Sequence, residues 1–359
     1  MLFWTENQRE RGLRAIESIY SVRNVPASPT PSTLHPGEPL NFDFDIDAHM
    51  VRQRNAGLII LHDGKVRFER YARGYRAEGR WTSFSVVKSI TATLVGAALH
   101  DGAIKSLDDG IADYLPGLRG SAYGDVSIRH LLTMTSGVAW NEAYDDPAAD
   151  VARFWSHTPE PDVDPWVAYM RKLQKAAPAG SVWLYNTGET NLLGSLIAHA
   201  TGRTLSGYLS ERIWQPCGME RDACWILSLA GTEVGGCCLS ASLRDYARFG
   251  QFIVDGAAID GISIVPNGWI DEATRKQADI GEPGRGYGYQ WWTHDNGSFD
   301  ARGIFGQGIF IDRARRLVIA SSGNWPNAVE PDAIGPERQQ FYRTVAAMVG
   351  PSPPAMRET

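Results

Sequence analysis

Thr82-Ser83-Phe84-Ser85-Val86-Val87-Lys88-Ser89-Ile90-Thr91-Ala92-Thr93-Leu94-Val95-Gly96-Ala97-Ala98-Leu99 is the stretch on which the reading of this chain turns. It closes at Asp101-Gly102, a helix stop. Apolar and small residues fall on nearly every face, so it predicts a buried helix. Ser85 and Lys88 stand three residues apart at its start, on one face and one turn from each other. A serine hydroxyl is a poor nucleophile until a neighbouring base takes its proton. A lysine held among apolar side chains has its pKa lowered, because burial disfavours the ammonium. The first turn also offers backbone N–H groups to a developing oxyanion. A capping serine followed by a snorkelling lysine accounts for the same four residues without chemistry. The apolar surroundings favour the chemical reading, since a charge is costly there.

Around that helix the chain reads as two kinds of structure. Gly57–His62 and Lys65–Tyr71 flank the two-residue turn Asp63-Gly64 and predict a hairpin. Strand signals return at 288–292, 308–311 and 317–321, the last two joined by a charged turn, before a final helix at 336–349. The Pro-rich tail beyond it is expected to be loose. Between 103 and 235 lie helical patterns separated by Pro and Gly loops, at 128–132, 150–155, 166–170 and 191–201, and another helix is expected at 242–254. These patterns predict an α+β fold. Residues 1–102 and 236–359 form an α/β domain whose antiparallel sheet is built from both termini and flanked by helices. Residues 103–235 form an inserted, all-helical lobe. A site between the two is the default.

Composition narrows the function. The 359 residues are 43% hydrophobic and 21% charged, as in an ordinary soluble globular protein, and with a net charge of -6 and basic residues scattered among acids nothing suggests a nucleic-acid partner. No run reaches transmembrane length, and residues 1–11 carry no basic-then-apolar signal pattern. Cys217, Cys224, Cys237 and Cys238 form no Cys-x-x-Cys pair, so free thiols in a reducing cytoplasm are expected. No metal or cofactor motif is present.

Two further stretches carry candidate chemistry. Trp183-Leu184-Tyr185-Asn186-Thr187-Gly188 is a turn-rich loop that can project the Tyr185 phenol into a cleft. Beside a lysine ammonium that phenol's pKa is expected to fall, making it a general base and acid; a core aromatic with a satisfied hydroxyl is the plain alternative. Ala301-Arg302-Gly303-Ile304-Phe305-Gly306 enters a strand with glycines that permit close backbone approach. Lying beside Ser85, the N–H of Ile304 would complete an oxyanion hole with that of Ser85. Glu142, Asp145, Asp146 and Asp150 read as a solvated loop or, less simply, as a cleft wall that meets a cationic group. Trp140, Tyr144, Trp183, Trp291, Phe305 and Trp325 are candidates for an aromatic wall.

With these stretches in order, residues 50 to 350 resemble the penicillin-recognising serine hydrolases, in the class C β-lactamase-like branch that includes family VIII esterases, DD-peptidases and nylon-oligomer (6-aminohexanoate dimer) hydrolases. Ser85-Val86-Val87-Lys88 is similar to the first family motif, Leu131–Gly137 to the segment before the active-site loop, and Tyr185-Asn186-Thr187 to the Tyr-x-Asn motif. Leu239–Ala241, Phe249-Gly250 and Gly286–Tyr289 also resemble family segments. Two positions depart from the pattern. Thr187 stands where the family has an asparagine amide, and Ala301-Arg302-Gly303 where it has Lys-Thr-Gly. Both weaken a β-lactamase reading and suit esters or linear amides. The resemblance implies a β-lactamase/transpeptidase-like fold. It also implies a metal-free, cofactor-free serine hydrolase of small esters or amides, with Ser85, Lys88 and Tyr185 catalytic, which of the last two is the base being open. Thr187, Trp140, Tyr144, Gly303 and Phe305 are the expected substrate-binding residues. A β-lactamase or DD-peptidase, or a non-catalytic binding protein on the same fold, are the alternatives; no nucleic-acid or membrane partner is expected, and oligomeric state is open.

Overall fold

Strand patterns from the two ends of the chain converge on one sheet in the computed structural model, which describes residues 1–157 and 160–350. The loose tail expected after the last helix falls at 351–359, outside the described residues. Seven strands form the sheet: β1 (Asn55–His62), β2 (Lys65–Tyr71), β3 (Arg285–Tyr287), β4 (Trp292–His294), β5 (Phe299–Gly303), β6 (Gln307–Asp312) and β7 (Leu317–Gly323). Their spatial order is β2-β1-β7-β6-β5-β4-β3, with antiparallel pairing throughout. Asp63 and Gly64 both have positive φ, 50° and 71°, as the expected tight hairpin turn requires.

Both faces of the sheet are covered, which is why β1 is a continuous apolar run and not an alternating one. Leu58 and Ile60 point to one side, into a cluster with Phe341, Tyr342 and Val345 of the last helix, Ile334–Val349. Ile59 and Leu61 point to the other, into the large core shared with three helices: α1 (Val87–His100), α2 (Thr187–Thr201) and α3 (Leu243–Val254). α1 is buried on every side from Val87 to Ala98, as its lack of a polar face predicts. α2 packs against it from the 103–235 region.

Three features differ from expectation. The 103–235 stretch, expected to be all-helical, contributes a strand, Ala223–Ile226. This strand pairs with Val22–Val25 and Leu239–Ala241, and the latter pairs with Trp81–Thr82, giving a second, four-stranded sheet. The segment 288–292, expected as one strand, is instead the turn between β3 and β4, with Gln290 at φ 61° and only Trp292 in a strand. That turn is fixed from outside: the Gln290 amide donates to Leu131 O and Leu132 O, its side-chain oxygen accepts from Thr190, and its carbonyl accepts from Ser89. Finally, the cysteines are not all free. Cys217 and Cys224 are, but Cys237 and Cys238 are joined in a vicinal disulfide at a turn where Cys238 has φ 71°. No helix among the described residues is long and apolar enough to cross a membrane.

Gly250 on α3 tests how closely helix and sheet are packed. A Cβ there would lie 2.4 Å from Val318 Cγ1 and 3.1 Å from Ile309 Cγ2, both in central strands. Alanine in place of glycine gains about 1 kcal/mol of helix propensity, whereas overpacking a fixed core costs about 1–3 kcal/mol. With the methyl aimed at immobile strand side chains, Gly250→Ala is expected to be destabilising in urea unfolding. A stabilised variant would show that α3 can lift from the sheet.

Candidate active site

Ser85 is the one residue between Trp81 and Ala98 that is not buried. Its exposure comes from the backbone around it. Trp81–Thr82 pairs with Leu239–Ala241, the Thr82 and Ser240 hydroxyls meet at 2.9 Å, and Ser83 N donates to Leu239 O at 2.8 Å. The chain then turns sharply at Phe84, φ 44°, an unfavourable conformation for a large side chain, and runs through a single 3-10 turn, Phe84–Val86, into α1. Phe84 is buried against Phe305, ring centroids 5.4 Å apart, which holds the turn in place.

Lys88 is 1% exposed. Its Nζ has three partners: Gly236 O at 2.6 Å, Thr187 Oγ1 at 3.1 Å and Ser85 Oγ at 3.2 Å. Burial pushes its pKa down to about 8, with the charge of Glu142 acting in the opposite direction. The amine is thus a partly neutral base near neutral pH, as expected from the apolar helix.

Tyr185 closes over this pair. Its ring stands 5.4 Å from Lys88 Nζ and stacks on Trp292 at 5.6 Å, with Trp183 and Tyr287 around it. Asn186 caps α2 by accepting from Glu189 N, which fixes the loop. The expected fall in the phenol's pKa does not occur. Desolvation raises it, Glu142 raises it further, and the Ser85 hydrogen bond that opposes them is the smallest of the three. Tyr185 is held as a neutral phenol.

Glu142 was expected only as one of four acidic residues in a solvated loop or cleft wall; the structure sets it apart from the other three. Its carboxylate collects four hydrogen bonds: from Thr187 Oγ1 and Trp140 Nε1, from Tyr144 OH at 2.9 Å and from Thr187 N at 3.0 Å. Its three companions in the loop do not share this position. Asp150 accepts from Asn141 N and Tyr169 OH, Asp146 from Ala148 N, and Asp145 lies on the groove wall. The one available signal was indirect: Trp140, Glu142 and Tyr144 alternate, which places their side chains on one side of an extended loop.

The strand-end residues converge on the same place. A Cβ on Gly303 would lie 2.4 Å from Ser83 O, so β5 can approach the Ser85 turn this closely only because that residue is glycine. Ile304 follows and lines the same two cavities as Ser85. One cavity, about 310 Å³, is apolar, with walls from Phe154, Trp155, Trp166, Leu227 and Leu229. The other, about 1150 Å³, is a wider groove that includes Glu142, Tyr185, Arg285, Arg302, Gly303 and Phe305. Ser85, Tyr144 and Ile304 stand at the junction of the two.

The remaining candidates divide. Tyr144, Phe305 and Trp325 line cavity walls, and Thr187 lines the apolar one while bridging Lys88 and Glu142. Trp140 faces Phe154 and Tyr169 and serves Glu142, lining neither cavity. Trp291 is core between Phe249 and Phe299, and Trp183 packs behind Tyr185. Arg302, in the place of the family lysine, is tied to the buried Asp300 carboxylate at 2.7 Å and lies over Trp292.

A family comparison fits this geometry: the Beta-lactamase family matches residues 45–342. The chain belongs to that family. A 6-aminohexanoate-dimer hydrolase of Paenarthrobacter ureafaciens is 26% identical over 299 residues, covering 79% of this chain and 76% of that protein. A Bacillus anthracis structure provisionally assigned as a 6-aminohexanoate-dimer hydrolase superposes with a TM-score of 0.82 at 23% identity, covering 94% of this chain and 93% of that one. A penicillin-binding protein of Bacillus halodurans gives a TM-score of 0.66 at 15% identity over 84% of this chain and all of that one. The β-lactamase/penicillin-binding-protein fold and a hydrolase of the β-lactamase-like serine type are thereby established for this β-lactamase-family chain.

Behind Tyr185 lies a buried carboxyl, Glu189, 1% exposed. It accepts from Ser136 Oγ, and from Tyr123 OH and Asn186 Nδ2 at 3.4 Å each, joining the 133–138 segment to the Tyr185 loop. Burial raises its pKa from 4.5 to about 8. The folded state therefore holds a proton that the unfolded chain releases above about 4.5, so this group's stabilisation is complete below that pH and is lost as pH rises toward 8. Unfolding free energies of Glu189→Gln and the unmodified protein are expected to diverge in favour of glutamine across that window. A pH-independent difference would refute the buried-acid assignment.

Proposed function

We propose that this protein hydrolyses small carboxylic esters or linear amides through an acyl-enzyme on Ser85. One observation carries the reading: a half-buried serine lies 3.2 Å from a fully buried lysine, where an apolar cavity meets a polar groove. In its neutral form Lys88 takes the Ser85 proton as Oγ attacks the carbonyl carbon. The N–H groups of Ser85 and Ile304 receive the oxyanion. Tyr185, a neutral phenol, gives its proton to the leaving alcohol or amine and recovers it from the Lys88 ammonium. Water then attacks the ester of Ser85, with the same groups moving the proton in reverse, and returns the free hydroxyl. The assignment of base to Lys88 and acid to Tyr185 follows from their environments, which push the two pKa values apart.

The preference for esters and linear amides over β-lactams rests on the two departures. Thr187 has no amide to offer a lactam side chain, and its hydroxyl is already committed to Lys88 and Glu142. Arg302 is paired with Asp300 and so is poorly placed to receive a substrate carboxylate. The similarity to a 6-aminohexanoate-dimer hydrolase over most of both chains agrees with a linear amide.

A fluorophosphonate probe is expected to label the protein, and Ser85→Ala to lose both label and turnover. Across p-nitrophenyl esters, nitrocefin and 6-aminohexanoate dimer, the first and last are expected to be turned over and nitrocefin to lag far behind. Nitrocefin turnover matching the esters would favour a β-lactamase instead. Tyr185→Phe is expected to lose about 10²–10⁴-fold, the usual contribution of a positioned proton donor; wild-type rates in that variant would remove Tyr185 from the mechanism. Because Lys88 must be neutral, kcat/KM is expected to rise with pH through about 8. A profile flat across that range would exclude Lys88 as the base.

A further inference from the structure

Thr187 owns a single hydroxyl hydrogen, and Glu142 Oε1 takes it. Its Oγ1 therefore has only lone pairs left for Lys88 Nζ, 3.1 Å away. Gly236 O, 2.6 Å from the same nitrogen, is an acceptor and nothing else. A neutral amine has two N–H groups and one lone pair. When Thr187 and Gly236 each receive one N–H, the lone pair faces the third neighbour, Ser85 Oγ at 3.2 Å. We infer that Glu142 is a positioning residue, which by fixing the Thr187 hydroxyl as an acceptor toward Lys88 aims the amine's lone pair at Ser85. This deepens the hydrolase reading above and rests on it.

The seat of Glu142 is built for a carboxylate. Oε1 faces the Thr187 and Tyr144 hydroxyls, and Oε2 faces the Thr187 backbone N–H and the Trp140 indole N–H. All four are donors in this arrangement. A glutamine cannot satisfy it in either orientation. With its NH2 toward Oε2's partners, its two N–H groups oppose two N–H donors, those of Thr187 and the Trp140 indole. With its NH2 toward Thr187 Oγ1, the hydroxyl hydrogen turns to Lys88 and occupies the lone pair meant for Ser85. Glu142 and Tyr185 are the titratable groups facing Lys88, and Lys88, Tyr144, Tyr185 and Tyr287 are those facing Glu142. Asp145, Glu282, Arg285 and Arg302 stand on the same groove wall.

The test is a double-mutant cycle on p-nitrophenyl ester kcat/KM with Glu142→Gln and Thr187→Val, alongside fluorophosphonate labelling of Ser85. Each single variant is expected to lose about tenfold or more, part of the range that positioned proton transfer supplies. The double variant is expected to lose no more than the worse single, because both substitutions break one connection. Thr187→Ser, which keeps the hydroxyl, is expected to restore activity. Removing the Glu142 charge removes the influence that raises the Lys88 pKa, so the acid limb of the Glu142→Gln profile is expected at lower pH than in wild type. Losses that multiply in the double variant, or an unmoved acid limb, would overturn the role given to Glu142. Should Glu142→Gln fail to fold by circular dichroism, a Thr187→Val protein as active as wild type would overturn it equally. If wild type is not labelled at Ser85, the hydrolase reading fails; labelling at Ser85 with multiplying losses sinks Glu142's role alone.

Discussion

A primary amine withdrawn from water, with three oxygens around it, is the constraint that the rest of the molecule serves. Lys88 cannot be buried without partners, and none of its three lies in its own helix beyond the first turn. Gly236 comes from the turn that leads into the strand Leu239–Ala241, and Thr187 opens α2. The small four-stranded sheet fixes the turn before α1 and the strand after Gly236 together, since Trp81–Thr82 and Leu239–Ala241 are neighbours in it. The lysine is thus the point where the sheet-bearing part of the chain and the helical part must agree in register.

The same surroundings separate the roles of two groups that a sequence cannot tell apart. Burial acts on both Lys88 and Tyr185 but with opposite results, because each is driven toward its neutral form: the ammonium loses its proton more readily and the phenol less readily. Glu142 then leans on both in one direction, holding protons on. One carboxylate at the groove wall thus moderates the effect of burial on the proposed base and adds to it on the proposed acid.

Much of the architecture was legible because its causes are local. The two-residue turn at Asp63-Gly64, the apolar run of β1 and the faceless helix after Ser85 each follow from a few adjacent residues. So do Ser85 and Lys88, whose spacing is a property of one helical turn, and Tyr185, flagged by its loop; these three do meet in space. What stayed hidden depends on partners far along the chain. Gln290 breaks a strand because α1, α2 and the 128–132 helix all claim its hydrogen bonds. Ala223–Ile226 looked like part of a helical region because its pairing partners are about 200 residues away in one direction and near at hand in the other. Glu142 could not be told from its acidic neighbours because nothing beside it announces the Thr187 hydroxyl 45 positions later. The direction of the Tyr185 shift was misjudged for the same reason: the amine was foreseen and the carboxylate was not.

The contact between Gly303 and Ser83 divides the pocket into a floor and replaceable sides. Backbone meets backbone there, leaving no slack between the end of β5 and the turn that carries Ser85. The sides come from elsewhere: Leu2 and Phe3, the loop and short helix at 142–157, and Leu227 to Leu229. Diversification of what this scaffold accepts can therefore proceed by exchanging those segments, with the floor inherited unchanged.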